Sequence, residues 1–340
     1  MRKKIFKFVI YIVMCFFTVY LLNMSFKNLK SSIEKGSVNS NESLGNTVTF
    51  VEELKVEKYD DDSINKVKLL HSKENNIEEI FLDEYIVNVI AAEMPVEFEL
   101  EALKAQAIVA RTYTLYKITK DSKHVNADIC DDSTCCQAWI SKDKRFEKWE
   151  DGKQEKWNKL VRAVNETKGK YITYNGDVIN AFFHSNSSGR TENPIDVWGG
   201  SLPYLGVVET AGEENYTSYK SEVRISKEEL ERIIREKFES FRINFNDKEC
   251  IKILEYTDSM RVRKIKIGNI IFSGVDVRKL LTLKSTNFNV VIDGDYVLFN
   301  VLGYGHGVGL SQTGSDALAK NGMKAEEIIK HFYKNIEIHE

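Results

Sequence analysis

The feature that most constrains this chain is an apolar run close to its N-terminus. Basic residues, among them Arg2, Lys3 and Lys4, precede residues 5–24. At about 1.5 Å per residue, that stretch is long enough to cross the hydrocarbon core of a bilayer. The basic flank predicts a cytoplasmic N-terminus and an external remainder. A secretory signal peptide is the alternative, but no small-x-small cleavage site follows the run.

The anchor divides the chain into three predicted parts. Residues 1–26 form a cytoplasmic stub and a single transmembrane helix, and residues 27–60, rich in Ser, Asn, Glu and Lys, form a linker. Residues 61–340 remain, which is enough chain for a large domain or two lobes with a real core. The net charge of −3 gives no basic patch that would indicate a nucleic-acid partner.

Periodicity predicts an α+β domain with two lobes outside the membrane. Strands are expected at 67–70, 77–82, 171–174, 178–183, 250–256, 261–267, 288–292 and 296–301. Asn175-Gly176 is a hairpin turn signal, and Ser226 with Glu229 forms a capping box ahead of a helix. Further helices are expected before Pro95, after Leu100, around residues 157–164 up to Gly169, and twice near the C-terminus.

Glu93 is the most informative single residue. It follows Ile86 by seven positions, so it falls on the apolar face of the first helix, and Pro95 then stops that helix. A carboxyl group on such a face loses hydration, which raises its pKa and favours the protonated form that a general acid needs. The alternative is a helix-end glutamate that reaches solvent past Pro95.

A second group of candidates consists of His124, Cys130, Cys135 and Cys136. Thiolates and imidazole are the ligands that tetrahedral zinc prefers. Outside the cell, a Cys130–Cys136 disulfide is the competing interpretation. The whole chain has five cysteines, too few for a disulfide scaffold. Four candidate ligands within thirteen residues indicate a closed structural site rather than a catalytic one with a position open to water.

Two polar loops complete the candidate site. His184 is followed by Ser185, Ser187 and a glycine, a composition that suits a loop gripping a polar ligand. Residues 303–309 are rich in glycine, and His306 within them and Gln312 after them are the polar members of this region. A simple flexible turn is the alternative there. We expect His184, Ser185 and His306 to approach Glu93 in space.

Four blocks of this sequence resemble the stage II sporulation protein D family. Residues 85–116 are the most specific, with Ala91-Ala92-Glu93-Met94-Pro95 and with the run from Leu103 to Tyr113. Residues 130–139, 183–191 and 305–314 are the others. The resemblance implies a lytic transglycosylase that acts during engulfment in sporulation. Glu93 would protonate the glycosidic oxygen between N-acetylmuramic acid and N-acetylglucosamine and then deprotonate the muramic 6-hydroxyl, closing a 1,6-anhydro ring.

The resemblance also implies a site, a cofactor and partners. The residues expected to bind substrate are Arg111, Gln137, His184, Ser185, Ser187, Thr191, Tyr204, His306 and Gln312. Structural zinc would be held by His124, Cys130, Cys135 and Cys136. The expected partners are glycan strands stripped of stem peptides, the stage II sporulation proteins P (an amidase) and M, and the engulfing membrane of the sporulating cell.

The sequence departs from the family pattern at several positions. Ser188 replaces a usual glycine, Leu310 a methionine, Thr313 a tyrosine and Ser315 an alanine, and Cys135 stands where a histidine can occur. The family is also similar to an amidase-enhancer protein. A non-catalytic peptidoglycan-binding activator of an amidase is therefore the main alternative function, and a zinc hydrolase is a second one.

Overall fold

The computed structural model describes residues 51–56, 65–120 and 122–340. The predicted anchor and most of the predicted linker lie outside these residues. Within the described part of the chain, no helix combines the length and apolar character needed to cross a membrane.

The first half of the chain forms a helical core. Its helices are α1 (Leu82–Glu93), α2 (Leu100–Lys120), α3 (Lys142–Lys148) and α4 (Lys153–Asn165). Helix α2 is central: Leu103, Ala107 and Ala110 pack on α1 and α4, while Ile108 and Val109 face the C-terminal helices. The small alanines of α2 allow neighbours to approach closely on both sides.

A short sheet covers α1. Strands β1 (Lys66–His71) and β2 (Asn76–Phe81) pair antiparallel, and β3 (Ile129–Cys130) adds to β1 in parallel. Val67 and Leu69 alternate with exposed residues and are fully buried, as the period of two requires. Because β3 is tied to β1, the cysteine-containing segment that follows it is held beside α1.

A second apolar cluster joins α2 to the C-terminal elements. Strand β4 (Tyr171–Tyr174) lies between β5 (Asp177–Val178) and β14 (Glu337–His339), and β6 (Phe183–His184) pairs in parallel with β13 (Leu310–Ser311). Helices α8 (Gln312–Lys320) and α9 (Ala325–Phe332) follow β13. The short helix α5 (Pro194–Trp198) and a 3₁₀ turn (Glu213–Asn215) lie between β6 and the next region.

Residues 220–302, called here the β-rich segment, have a core of their own. One sheet contains β7 (Lys220–Ser226), β11 (Asn287–Asp293) and β12 (Tyr296–Leu302), and another contains β8 (Ile251–Tyr256), β9 (Val262–Ile267) and β10 (Ile270–Ser273). Helices α6 (Lys227–Lys237) and α7 (Gly274–Leu280) pack with them. The two ends of the segment meet, because Gly303 N donates to Tyr219 O at 2.7 Å.

The α+β prediction is confirmed, and the Ser226 side chain caps α6 as predicted. The two-lobed arrangement stays a prediction. Two boundaries were wrong by more than one residue. Strand β5 ends at Val178, because the chain leaves the hairpin after Ile179 N donates to Ile172 O, before β6 pairs with β13. Helix α4 ends at Asn165, and the turn that contains Gly169 follows it.

Candidate functional site

Glu93 is the last residue of α1 and points to a segment that follows the cysteine cluster. Its Oε1 accepts a hydrogen bond from the backbone N–H of Ala138 at 2.6 Å. Pro95 follows directly, and the chain leaves the helix in extended conformation at Met94. The side chain is half-buried rather than lost in the core, so the carboxyl group is held at a fixed place while it retains access from outside.

The surroundings of Glu93 favour its protonated form. Loss of hydration raises the pKa of the carboxyl group, and the Ala138 N–H and the Gln312 amide oppose this rise only in part. In the described part of the chain, no basic side chain forms an ion pair with Glu93. A carboxyl group whose pKa is raised is protonated over a wider pH range, which is the state that a general acid needs.

Gln312 connects the end of α1 to the glycine-rich region. Its side-chain amide approaches Glu93 closely enough to affect the pKa, although Nε2 has no partner in full hydrogen-bond geometry. One turn further along α8, Asp316 Oδ1 accepts from Glu99 N at 2.6 Å, in the loop after α1. Helix α8 is therefore attached to the chain just beyond Glu93.

His184 and His306 hold one residue of the glycine-rich loop between them. His184 Nδ1 donates to the carbonyl oxygen of Val308 at 3.1 Å, and His306 Nδ1 accepts from Val308 N at 3.0 Å. Burial lowers the pKa of His184 to about 3 and that of His306 well below its usual value, so both rings are neutral. The buried Nε2 of His184 has no partner among the residues that the structure describes and, in this tautomer, is available as an acceptor.

The glycines of this loop let its backbone pack closely against neighbouring residues of the protein. A Cβ at Gly309 would lie 2.0 Å from the carbonyl oxygen of Phe182, and one at Gly305 would lie 2.8 Å from Cβ of His184. Both glycines have positive φ, which other residues adopt only at a cost. The glycine-rich sequence is thus explained by close packing on β6.

A buried carboxylate that sequence analysis did not single out, Glu213, organises both polar loops. Glu213 accepts six hydrogen bonds, three on each oxygen. The donors come from residues 187–189, from Thr210 and from residues 311–313. The sequence signal that could have found it is the density of hydroxyl groups in these blocks, since so many buried donors need an acceptor.

An aromatic surface adjoins the two histidines. Trp198 is 49% exposed, and its ring packs on Phe182 at 4.5 Å and on His306 at 5.1 Å between centroids. Tyr304 is 45% exposed and comes two residues before His306. Ordered and exposed aromatic rings of this kind provide an apolar face with a polar rim.

Several residues predicted to bind substrate have internal contacts instead. Arg111 is buried, pairs with Asp83 at 2.7 Å, and donates to two backbone carbonyls. Gln137 is buried beneath α1 and donates to Tyr85 and Thr114. Their contacts are those of residues that support the fold, because the donors described for them point inward. Their assignment to substrate stays a prediction.

The remaining predicted residues lie around the loop that follows β6. Ser185 O accepts from Thr313 N at 3.0 Å, and Ser187 donates to Glu213. Thr191 Oγ1 donates to Gly206 O and accepts from Val208 N. Tyr204 is buried, and its hydroxyl accepts from Asn180 N. The structure therefore brings His184, Ser185, His306 and Gln312 into one region connected to Glu93, while Thr191 and Tyr204 support its outer wall.

His124, Cys130, Cys135 and Cys136 converge as the zinc hypothesis requires. Their ligand atoms all lie within 4.8 Å of one another. His124 Nε2 is 3.4 Å from Cys136 Sγ and 3.7 Å from Cys135 Sγ, and the latter two sulfurs are 3.9 Å apart. A tetrahedral zinc ion with ordinary bond lengths separates two sulfurs by about 3.8 Å and sulfur from nitrogen by about 3.5 Å. The residues fit the ion.

The structure does not contain the Cys130–Cys136 disulfide that was the competing interpretation. Cys130, Cys135, Cys136 and Cys250 are all free thiols. Burial raises the pKa of the Cys136 thiol to about 12. A bound cation would be needed to hold this thiol as a thiolate.

The fold and the site thus combine a half-buried carboxyl group, two polar loops and a thiol–imidazole cluster, and comparison with known proteins identifies the family. The stage II sporulation protein family matches residues 71–174. Stage II sporulation protein D of Bacillus subtilis (strain 168) is 32% identical over 276 residues, which cover 81% of this chain and 79% of the relative. That of Bacillus amyloliquefaciens is 31% identical over 277 residues, 81% and 78% of the two chains.

A third relative has a different name. The amidase enhancer of Bacillus subtilis (strain 168) is 28% identical over 294 residues, covering 72% of this chain and 39% of the relative. The extent of the similarity to the sporulation proteins decides the family: this chain belongs to the stage II sporulation protein D family.

Proposed function

We propose that this protein is a lytic transglycosylase that cleaves peptidoglycan glycan strands during engulfment, with Glu93 as its single acid and base. The observation that carries this proposal is the state of Glu93. It is half-buried, its pKa is raised by loss of hydration, and a polar region of neutral donors and acceptors adjoins it. Such a group is suited to protonate a leaving oxygen.

One carboxyl group is sufficient for the proposed reaction. The Glu93 proton goes to the glycosidic oxygen as its bond to C1 of N-acetylmuramic acid breaks. The Glu93 carboxylate then takes the proton of the muramic 6-hydroxyl while that oxygen bonds to C1. The products are a free 4-hydroxyl end and a 1,6-anhydro end, and Glu93 is again protonated. Ordinary glycosidases need a second carboxyl group because their nucleophile is not part of the substrate.

The test compares the full chain with its Glu93→Gln variant on glycan strands from which stem peptides have been removed. Mass spectrometry should find 1,6-anhydromuramic ends with the wild type and none with the variant. Reducing ends would contradict the proposal, because they would indicate hydrolysis by water.

We also propose that His124, Cys130, Cys135 and Cys136 hold structural zinc. The support is the match between their separations and a tetrahedral ion. The ion would stabilise the turn that leads to Ala138, and so the donor that holds Glu93. Elemental analysis of the purified full chain should find about one zinc per chain, and Cys136→Ser should abolish it.

The cellular setting completes the proposal. Residues 5–24 would anchor the protein in the engulfing membrane and leave residues 61–340 outside the cytoplasm. There the domain would meet glycan strands and two partners, the amidase stage II sporulation protein P and stage II sporulation protein M. Protease protection of vesicles that carry the full chain tests this orientation: residues 61–340 should be digested in vesicles that expose the outer face.

The second candidate function is a non-catalytic activator of a cell-wall amidase. The similarity to a protein named amidase enhancer favours it. An activator would stimulate an amidase equally well with Glu93→Gln, whereas the proposed enzyme loses its own product. Stimulation that survives the substitution, without anhydro ends from either form, would establish this alternative.

A further inference from the structure

We propose that Glu213 is a positioning residue for the reaction: it fixes Gln312, and through Gln312 the end of α1, by binding the residues on both sides of that glutamine. This inference rests on the proposed function for its link to catalysis. Its geometry stands on contacts that Glu93 does not share.

The two residues that flank Gln312 both bind Glu213. Ser311, the N-cap of α8, donates to Glu213 Oε1, and Thr313 Oγ1 donates to the same oxygen at 2.9 Å. With both neighbours attached to one carboxylate oxygen, the backbone of Gln312 has little freedom to rotate. From this fixed backbone the Gln312 amide lies close enough to Glu93 to oppose the rise in the pKa of that carboxyl group.

Glu213 also binds the loop after β6. The other oxygen, Oε2, accepts from Ser187 Oγ at 2.7 Å, Gly189 N at 2.9 Å and Thr210 Oγ1 at 2.6 Å. Thr313 N also donates to Ser185 O at 3.0 Å. Glu213 therefore holds the His184 loop and the start of α8 in one register.

The Glu213 site requires a side chain that only accepts hydrogen bonds. A carboxylate has two acceptor oxygens, with about four lone-pair sites, and no donor, so the six donors around it share those sites and none of them faces another donor. A glutamine at this place would present an NH₂ group to three of these donors. The buried site thus calls for a charge-assisted acceptor, and a neutral replacement must release one of the two loops.

The experiment measures the pKa of Glu93 and the rate of strand cleavage in the full chain. The pKa is read from the carboxyl ¹³C signal, assigned by its loss in Glu93→Gln. Glu213→Gln should raise the pKa of Glu93, because the opposing contact from Gln312 is lost, and should lower kcat by about 10- to 100-fold with little change in KM. Glu213→Asp should recover part of both.

A double-mutant cycle separates positioning from general stability. Gln312→Ala should raise the Glu93 pKa by itself, and adding Glu213→Gln should then change it no further. The matched control is Glu192→Gln. Glu192 is another buried carboxylate, and it accepts from Asn193, Thr257 and Ser259. Among the residues that the structure describes, its carboxylate reaches the loop after β6 only through Arg261, which donates to Ser187 O, and it binds neither Ser311 nor Thr313. That control should lower Tm without moving the Glu93 pKa.

Thr313→Val provides a milder variant should Glu213→Gln fail to fold. It removes one donor to Glu213 and should shift the Glu93 pKa in the same direction by less. The proposal is overturned if folded Glu213→Gln or Thr313→Val leaves both the Glu93 pKa and kcat unchanged, or if Glu192→Gln moves that pKa as far. Because the pKa is measured without substrate, the proposal can be decided even if the wild type cleaves no glycan.

Discussion

Two glutamates of this protein occupy opposite kinds of surroundings. Glu93 is half-buried, has one backbone donor at hydrogen-bond distance and a nearby amide, and its pKa is raised by loss of hydration. Glu213 is fully buried and has six donors. The same side chain has few donors at the position proposed to transfer a proton and many donors at the position where two loops are joined.

The difference shows how a buried carboxyl group is matched to its role. Few donors disfavour the charged form and leave the group ready to exchange a proton. Many donors stabilise the charged form and make its removal costly. Substitution should therefore separate the two residues: one should affect chemistry with little effect on folding, and the other should affect folding first.

The largest expected effect is on activity at Glu93. Glu93→Gln keeps the shape of the side chain but cannot donate or accept the reaction's protons, so we expect strand cleavage to fall by about 10³-fold or more. Product counting by mass spectrometry measures this. A variant that keeps more than a tenth of the activity would show that the proton comes from another group.

The next effect is on stability at Glu213. Glu213→Ala removes the acceptor shared by six donors, most of them buried, and we expect a loss of about 3 kcal/mol in the free energy of unfolding. Urea unfolding of the full chain measures it. The adjacent exposed residue supplies the control: Glu214→Ala should change stability by less than about 0.5 kcal/mol. Equal losses in both variants would remove the contrast between the two sites.

Metal removal should distinguish the two sets of donors. The N–H that binds Glu93 belongs to Ala138, two residues after Cys136, whereas the backbone donors to Glu213 lie in the loop after β6. If the cluster holds zinc, a chelator should lower stability by about 2–3 kcal/mol. Hydrogen exchange should accelerate at Ala138 while Ser187 and Gly189 remain protected. Uniform acceleration would show that the ion supports the whole fold.

A smaller effect is expected at the aromatic surface beside His306. Trp198→Ala removes an exposed ring that is suited to stack on a sugar, so KM for long strands should rise about three- to tenfold with kcat nearly unchanged. Trp198→Phe should recover part of this. Steady-state kinetics on strands of defined length measures it, and an unchanged KM would place the glycan elsewhere.

The smallest effect is on stability at Glu93 itself. A raised pKa in the folded state means that the folded protein binds the proton more tightly, so stability falls as pH rises from the ordinary carboxyl value of 4.5 through the raised one. Glu93→Gln should therefore raise Tm by about 2 °C at neutral pH, and this gain should vanish below about pH 4. A lower Tm at neutral pH would indicate that Glu93 stabilises the fold.

The sequence contains much of the fold because its signals are local. Alternation at Val67 and Leu69, the Asn175-Gly176 turn and the capping box at Ser226 each involve neighbouring residues. The position of Glu93 follows from helical periodicity in the same way. Glu213 could not be found so, since its donors lie as far away as Thr313, and Glu213-Glu214-Asn215 has the composition of a solvated turn.

Arg111 illustrates the reverse limit. It belongs to the most specific block of the sequence, yet its guanidinium lies in the core with Asp83. A sequence block marks which residues matter together, but it does not separate a residue that contacts substrate from one that supports the helix beneath. That separation requires the direction of each side chain, which only long-range packing determines.

The meeting of Tyr219 and Gly303 has a consequence for engineering and for evolution. A chain that departs from and returns to one point can be lengthened, shortened or exchanged between those ends without displacing the remainder. The β-rich segment could in this sense be exchanged as a unit. Among its contacts with the rest of the chain is Arg261, which donates to the carbonyl oxygen of Ser187. Any replacement segment would have to supply an equivalent donor to the Ser187 carbonyl. A library of shortened segments that retain Arg261 would show how much of the segment is needed.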